Sequence, residues 1–201
     1  MALFDRLFGS RPEDPPALRQ AAVDGSSSAL EAARLLRAPT ALMQLSEAEA
    51  LTVVGFMRPH RFESGTTIIR QGEATDTGFM VLVLDGEITV ETLIARRSNP
   101  VTVTVLGPGS LIGEMSLVDG GARSASCTAS SAVRCAVLTR EALEALIAEQ
   151  PATAAKLMVA VALRLTERLR DSSHKLRVYS QLMQTMQQEI DALMPTPDAR
   201  L

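Results

Sequence analysis

The stretch GEMSLVDGGARSA, Gly113 to Ala125, decides how the rest of the chain is interpreted. A lone glutamate, Glu114, follows a glycine, and Arg123 follows a glycine-rich turn. If Glu-Met-Ser-Leu makes one helical turn, its free amide groups point back over Gly113, where they suit an anion. Arg123 can return to the same place and pair with a phosphate through two parallel hydrogen bonds. The stretch therefore predicts an anion site.

The other polar side chains of this stretch predict a sugar beside the phosphate. Ser124 adds a hydroxyl donor next to Arg123. Glu114 repels a phosphate, but its carboxylate accepts well from a sugar hydroxyl. One phosphate next to one ribose hydroxyl describes a cyclic nucleotide.

Residues 60–139, which include this stretch and extend on both sides of it, have a residue pattern typical of an all-β region. Short runs rich in Val, Ile and Thr alternate with turns that contain glycine. Several short strands with regular turns favour a sandwich or barrel over a parallel sheet with helical crossovers. The predicted strands lie in TTIIRQG, GFMVLVLDG, EITVETLIA, PVTVTVLGPGS, ASCTASS and AVRCAVLT.

Two short helices are predicted before the β region. The first covers residues 28–37, with Ser28 as its N-cap and Glu31 at the capping-box position. The second follows Ser46, with Glu49 three residues later in the same kind of box, and Pro59 lies beyond its end.

The chain after Thr139 has a helical pattern, with one helix over 140–150 and one long helix over 151–193. In the long helix, alternating steps of four and three give the heptad pattern of a coiled coil. Such a stripe needs a partner helix, and the simplest partner is a second copy of the chain; the alternative is that the helix folds back on its own barrel. The heptad stripe comprises Leu165, Leu169, Ser172, Leu176, Tyr179, Met183, Met186, Ile190 and Leu193.

The stretch GEMSLVDGGARSA resembles the phosphate-binding cassette of the cyclic-nucleotide-binding domain family. That pattern has Gly-Glu, two small or apolar residues, Leu, a variable turn, then Arg and small residues. ESGTTIIRQGE and GFMVLVLDGEITV resemble the family's early strand and central hairpin, and residues 42–182 can be laid on the family. The resemblance implies a mainly β fold with flanking α: a double-stranded β-helix (jelly-roll) barrel followed by a long C-terminal dimerisation helix.

The resemblance also implies the roles of individual residues. Glu114 would hold the ribose hydroxyl and Arg123 the cyclic phosphate. RLRDSSHKL, residues 168–176, resembles the dimer helix of the catabolite-activator group, whose Thr-Ser pair caps the adenine. Cyclic AMP is therefore the favoured ligand, ahead of cyclic GMP, cyclic di-GMP or haem. The predicted ligand-binding residues are Gly113, Glu114, Met115, Ser116, Arg123, Ser124, Ala125, Ser172 and Ser173.

Composition argues against several other classes of function. The net charge of −3 is unlike that of a general nucleic-acid binder, and Glu167 and Asp171 interrupt the basic residues of the long helix. Two histidines and two cysteines make no metal set, so we expect neither a metal nor an enzyme. No apolar run approaches the roughly 20 residues of a membrane span, and two thiols suit a reducing cytoplasm.

The predicted domains are an N-terminal arm and linker with a short helix (1–40), the barrel with its flanking helices (41–150), the coiled-coil dimer helix (151–194) and a tail (195–201). The tail is too short for a helix-turn-helix, so we expect a homodimeric receptor that signals through a partner protein. Residues 1–8 are amphipathic, and a short arm that packs on its own domain or stays disordered is favoured over docking on a partner or a membrane surface.

Overall fold

The structure, a computed structural model, describes residues 23, 26–39, 41–42, 44–92 and 101–193, without the side chains of 101–103. The described residues up to Val161 form one compact unit, and those from Ala162 form a second. Each unit is described by itself. The amphipathic arm predicted over 1–8 and the tail predicted over 195–201 lie outside the described residues.

The first unit is built on two four-stranded antiparallel sheets, with strand orders β1-β8-β3-β6 and β2-β7-β4-β5. Successive strands lie in opposite sheets, except for β4 and β5, which pair with each other; this is the jelly-roll arrangement of a double-stranded β-helix. The predicted fold class is therefore confirmed. The strands are β1 Arg58–Phe62, β2 Thr67–Ile69, β3 Phe79–Asp85, β4 Ile88–Thr92, β5 Val101–Leu106, β6 Leu111–Ile112, β7 Ser126–Ala129 and β8 Val133–Thr139.

Two of these strands, β1 and β6, were not predicted from the pattern. β1 contains Pro59, which suggested only the end of a helix, but β1 is an edge strand, where proline is tolerated. β6 has two residues, Leu111 and Ile112, paired with Leu82 and Val81 of β3. A two-residue strand is too short to show any alternation in sequence.

The core lies between the two sheets, and helices bury the outer face of β3. Phe79, Val81 and Val83 point into the core between the sheets. Met80 and Leu82, on the opposite face, are buried as well. α1 and α3 pack on β3, and α4 packs on β8. The helices are α1 Ser27–Leu36, α2 Glu47–Gly55, α3 Glu114–Asp119, α4 Arg140–Glu149 and α5 Pro151–Leu193.

The caps of the first two helices agree only in part with the predictions. α2 has the predicted capping box, in which Ser46 and Glu49 each bond the other's backbone N–H. The predicted cap of α1 is wrong, because Ser26 rather than Ser28 accepts from the Ala29 N–H at 3.2 Å. Three consecutive serines can each cap a helix, and the sequence alone does not choose among them.

The long helix α5 is continuous from Pro151 to Leu193, as predicted. In the second unit its heptad stripe is open to solvent: Leu169 is 67% exposed, Leu176 65% and Met183 67%. Large apolar side chains at this spacing are characteristic of a coiled-coil surface. Within the described residues, no helix combines the length and apolar character needed to cross a membrane.

Candidate functional site

The candidate site is built around the short helix α3, which follows β6 directly. Gly113 precedes the helix in the left-handed conformation, with φ of 81°. That conformation favours glycine, because a side chain there meets the following carbonyl. The residue turns the chain sharply from β6 into α3, and the turn directs the Gly113 carbonyl towards Arg123.

Arg123 is the buried centre of the site, with only 4% of its surface exposed. Its Nη1 donates to the carbonyls of Phe79 at 3.2 Å and Gly113 at 3.1 Å, and Nη2 also donates to Phe79, at 3.2 Å. The guanidinium lies 4.3 Å from the centre of the Phe79 ring. Its backbone is held too, because the Arg123 N–H donates to Glu73 O at 2.9 Å. The side chain and backbone of Arg123 are therefore both held by bonds within the protein.

The packing at Gly113 leaves no room for a side chain. A Cβ atom there would lie 2.7 Å from Arg123 Nη1 and 2.8 Å from Phe79 O. Both distances are shorter than a van der Waals contact. The absence of a side chain therefore lets Arg123 bond both carbonyls.

The electrostatics of Arg123 suit an anionic ligand. Burial lowers the pKa of Arg123, and nearby Cys127, Glu73 and Glu114 oppose that shift. The group nevertheless stays charged, as arginine does in proteins. Its side chain donates to the carbonyls of Phe79 and Gly113, which are neutral, so an anion could still be attracted to the charge.

Glu114, the first residue of α3, is 2% exposed. It lies at a small cleft with apolar walls from the barrel, α3, α4 and the start of α5, including Met80, Leu117, Leu143 and Leu157. Among the described residues, every buried side-chain nitrogen and oxygen has a hydrogen-bond partner. A carboxylate in such surroundings is held firmly in one orientation.

The remaining predicted residues of the cassette, which comprises residues 113–125, lie on α3 or in the segment between α3 and β7. Ser116 is buried, and Met115 is 46% exposed on the outer side of the helix. Ser124 is exposed, and its hydroxyl lies 4.0 Å from Met115 Sδ. Ala125 is half-buried, directly before β7. The structure thus brings together the seven predicted residues between 113 and 125.

Ser172 and Ser173, the two residues predicted to reach the base, lie on α5 in the second unit. Ser172 is exposed and Ser173 is half-buried. Their contribution to a ligand site stays a prediction.

Two residues of the site were not predicted from the sequence. Phe79 acts through its backbone carbonyl and ring, and no sequence pattern marks a carbonyl as functional. Arg140 donates from Nη2 to Ser116 O at 3.2 Å. A cation in the first turn of a helix is unfavourable because it faces the positive end of the helix dipole. This unfavourable position was the feature of the sequence that could have pointed to a contact of Arg140 outside its own helix.

Metal ligation has no support in the described part of the chain. No group of three or more His, Cys, Asp or Glu residues there is placed to hold an ion. Both cysteines, Cys127 and Cys135, are buried free thiols. Burial raises the pKa of Cys135 to about 12, so its thiol stays protonated near neutral pH.

Comparison with known proteins places the site in a family. The family described as "Cyclic nucleotide-binding domain" matches residues 59–150. A CRP-like cAMP-activated global transcriptional regulator of Mycobacterium tuberculosis is 30% identical over 159 residues, which is 71% of this chain and 66% of the relative. The chain therefore matches just under two thirds of that relative's own length.

Solved structures show the same fold. A cyclic nucleotide-binding domain from Methylobacillus flagellatus superposes with a TM-score of 0.65 and 28% identity, over 79% of this chain and 85% of that one. The Thermus thermophilus catabolite activator protein gives a TM-score of 0.60 and 30% identity, over 68% of this chain and 61% of that one. The relatives are regulators and receptors rather than enzymes. With its jelly-roll sheets, its Gly113–Ala125 cassette and these relatives, the chain contains a cyclic nucleotide-binding domain with CRP-like homologues.

Proposed function

We propose that the protein is a cyclic-nucleotide receptor whose ligand, cyclic AMP in the first instance, binds at the cassette. The observation that carries the proposal is Arg123, a buried cation whose hydrogen bonds go to the neutral carbonyls of Phe79 and Gly113. A phosphate would give that charge a partner inside the protein, where attraction is stronger than in water.

The other cassette residues have roles that match the rest of a nucleotide. Glu114 would accept from the ribose hydroxyl, and the backbone amides of Met115 and Ser116 would face the phosphate. Ser124, next to Arg123, would add a hydroxyl donor. Ser172 and Ser173 would meet the base, and their polar side chains leave both adenine and guanine open. None of these roles involves bond making, so the proposed activity is reception and not catalysis.

We further propose that the receptor is a homodimer through residues 165–193. Support comes from the solvent-exposed heptad stripe, which a second copy would cover. Ligand binding would shift the population of two states of the dimer helix, and a partner protein that prefers one state would be recruited or released. The two free buried thiols fit a reducing cytoplasm.

Calorimetric titration with cyclic AMP, cyclic GMP and cyclic di-GMP tests the proposal. Arg123→Lys retains the positive charge but loses the forked geometry, and we expect it to weaken cyclic AMP binding by about tenfold or more. Arg134→Ala is the control, because Arg134 pairs with the exposed carboxylates of Asp85 and Glu31. Failure of the folded wild-type protein to bind any of the three nucleotides would reject the proposed function. Equal binding by wild type and Arg123→Lys would reject the role given to Arg123.

A further inference from the structure

Arg140 connects helix α4 to the far end of the cassette helix α3. It is the first residue of α4, and its Nη2 donates to Ser116 O at 3.2 Å. The same carbonyl accepts from the Gly120 N–H at 3.0 Å, the bond that closes the last turn of α3. The backbone N–H of Arg140 donates to Gly78 O at 2.7 Å. A single residue therefore joins three segments of the site.

The Arg140 side chain passes close to two glycines, Gly78 and Gly120. A Cβ atom on Gly78 would lie 3.2 Å from Arg140 Cβ and 3.5 Å from its Nε. A Cβ atom on Gly120 would lie 3.8 Å from Nη2. The side chain therefore passes over Gly78 and ends beside Gly120, in a path that larger residues at Gly78 would crowd.

The charge of Arg140 fits α3 better than it fits its own helix. A cation at the start of α4 faces the positive end of that helix's dipole. The guanidinium instead reaches the carbonyl end of α3, where a positive charge is favourable. The contact with α3 thus supplies a physical reason for an arginine at this position.

Arg123 and Arg140 hold the two ends of α3 against the neighbouring carbonyls of Gly78 and Phe79, where a loop enters β3. Arg123 joins Gly113 O to Phe79 O, and Arg140 joins Ser116 O to Gly78 O. Movement of α3 relative to this loop therefore strains both arginines. Of the two arginines, only Arg140 belongs to a helix that is followed directly by α5, because α4 ends at Glu149 and α5 begins at Pro151.

We propose that Arg140 is a positioning residue that couples the cassette helix to α4, so that occupancy of the nucleotide site changes the order of α4. The coupling deepens the proposed function and rests on it. A ligand that draws Arg123 and α3 together fixes the Ser116 carbonyl, and the bond to Arg140 then fixes the first turn of α4. Without that bond α3 and α4 respond separately, so ligand binding no longer shifts the population of α4 states.

Hydrogen exchange of the free protein is the first test, because it needs no ligand. In Arg140→Ala we expect exchange of the Gly120 amide and of the amides of 143–146 to rise about tenfold, because one charge-assisted bond is lost. Arg140→Lys, which keeps one donor, should restore part of the protection. The control variant is Arg134→Ala, which removes an arginine of β8 that pairs with Asp85 and Glu31. Hydrogen exchange of both segments should be unchanged in this variant.

Exchange with saturating cyclic AMP is the second test. In the wild type, cyclic AMP should slow exchange in both α3 and α4, whereas in Arg140→Ala it should slow α3 only. A several-fold loss of affinity in Arg140→Ala, measured by calorimetry, should accompany this uncoupling.

Three results would overturn the coupling. The first is unchanged exchange in free Arg140→Ala. The second is a rise of equal size throughout β3 and β8, which would mean general destabilisation. The third is a wild-type response of α4 to cyclic AMP that the variant retains. If the wild type binds no nucleotide, the proposed function fails, while the free-protein comparison still decides whether Arg140 links the helices.

Discussion

Replacing Gly113 by alanine tests the geometry that places Arg123. The substitution has two separable effects. A non-glycine residue at φ of 81° costs about 1–2 kcal/mol of folding free energy. The new Cβ would also lie 2.7 Å from Arg123 Nη1 and 2.8 Å from Phe79 O, so the guanidinium must move. Losing one hydrogen bond from a charged group adds about 1.5–3 kcal/mol.

A matched control separates these two effects. Gly65 has φ of 84°, and a Cβ there meets nothing within 4 Å. Gly65→Ala should therefore carry only the conformational cost of about 1–2 kcal/mol. Gly113→Ala should carry roughly 2.5–5 kcal/mol, which is that cost plus the lost bond.

Denaturant unfolding and calorimetric titration measure the two consequences of Gly113→Ala. The unfolding free energy should fall further in Gly113→Ala than in Gly65→Ala. Only Gly113→Ala should weaken cyclic AMP binding, by at least about tenfold, because a displaced guanidinium loses its bonds to the phosphate. If the two variants lost the same stability and bound cyclic AMP equally well, close packing against Gly113 would not position Arg123.

The remaining predictions concern charges, thiols and the dimer helix. The ion pair with Lys156 and the capping bonds of Ser46 lower the pKa of Glu49 from 4.5 to about 2. Glu49→Gln keeps the capping bond but loses the charge, so wild type should be more stable than this variant above about pH 4.5. Acid-unfolding curves should show that this advantage vanishes as pH falls through 2. Cys135, buried with its pKa raised to about 12, should resist a thiol reagent at pH 8 until denaturant is added. Met183→Glu, within the heptad stripe, should convert the dimer to monomer in sedimentation, whereas Val178→Glu, equally apolar but outside the stripe, should not; two dimeric variants would contradict the proposed interface.

The sequence predicted which residues of the cassette lie together better than it predicted their contacts. Gly113, Glu114 and Arg123 could be singled out by residue type, since a left-handed turn, a carboxylate and a guanidinium have few substitutes; their roles towards a ligand stay predictions. The partners of Arg123 could not be predicted, because they are carbonyls brought together by strand pairing. The register between β3 and β6 brings these carbonyls together: Val81 pairs with Ile112, so Phe79 at the start of β3 lies beside Gly113, which follows β6. β6 itself left no recognisable pattern in the sequence.

A strand could be predicted wherever one of its faces is towards the core and it has a turn at each end, because its apolar and polar residues then alternate. β4 and β7 show this alternation, since one side of their sheet meets the other sheet. β3 is buried on both faces, so its pattern is a continuous apolar run, FMVLVL, and helices must cover its outer side. The predicted strand was right, and so were helices near α1 and α3, but their packing on the outer side of β3 could not be predicted.

The placement of Arg123 bears on how strongly a nucleotide would bind. An exposed arginine must lose side-chain freedom when it takes up a phosphate, and that ordering opposes binding. Arg123 is already ordered by its bonds to Phe79 and Gly113, and its ring contact restricts it further. The free-energy cost of ordering and desolvating Arg123 is therefore part of folding and is not added again when a ligand binds. The attraction between Arg123 and a phosphate would then contribute almost wholly to affinity, and it would act across a site where the neutral carbonyls compete weakly for the charge.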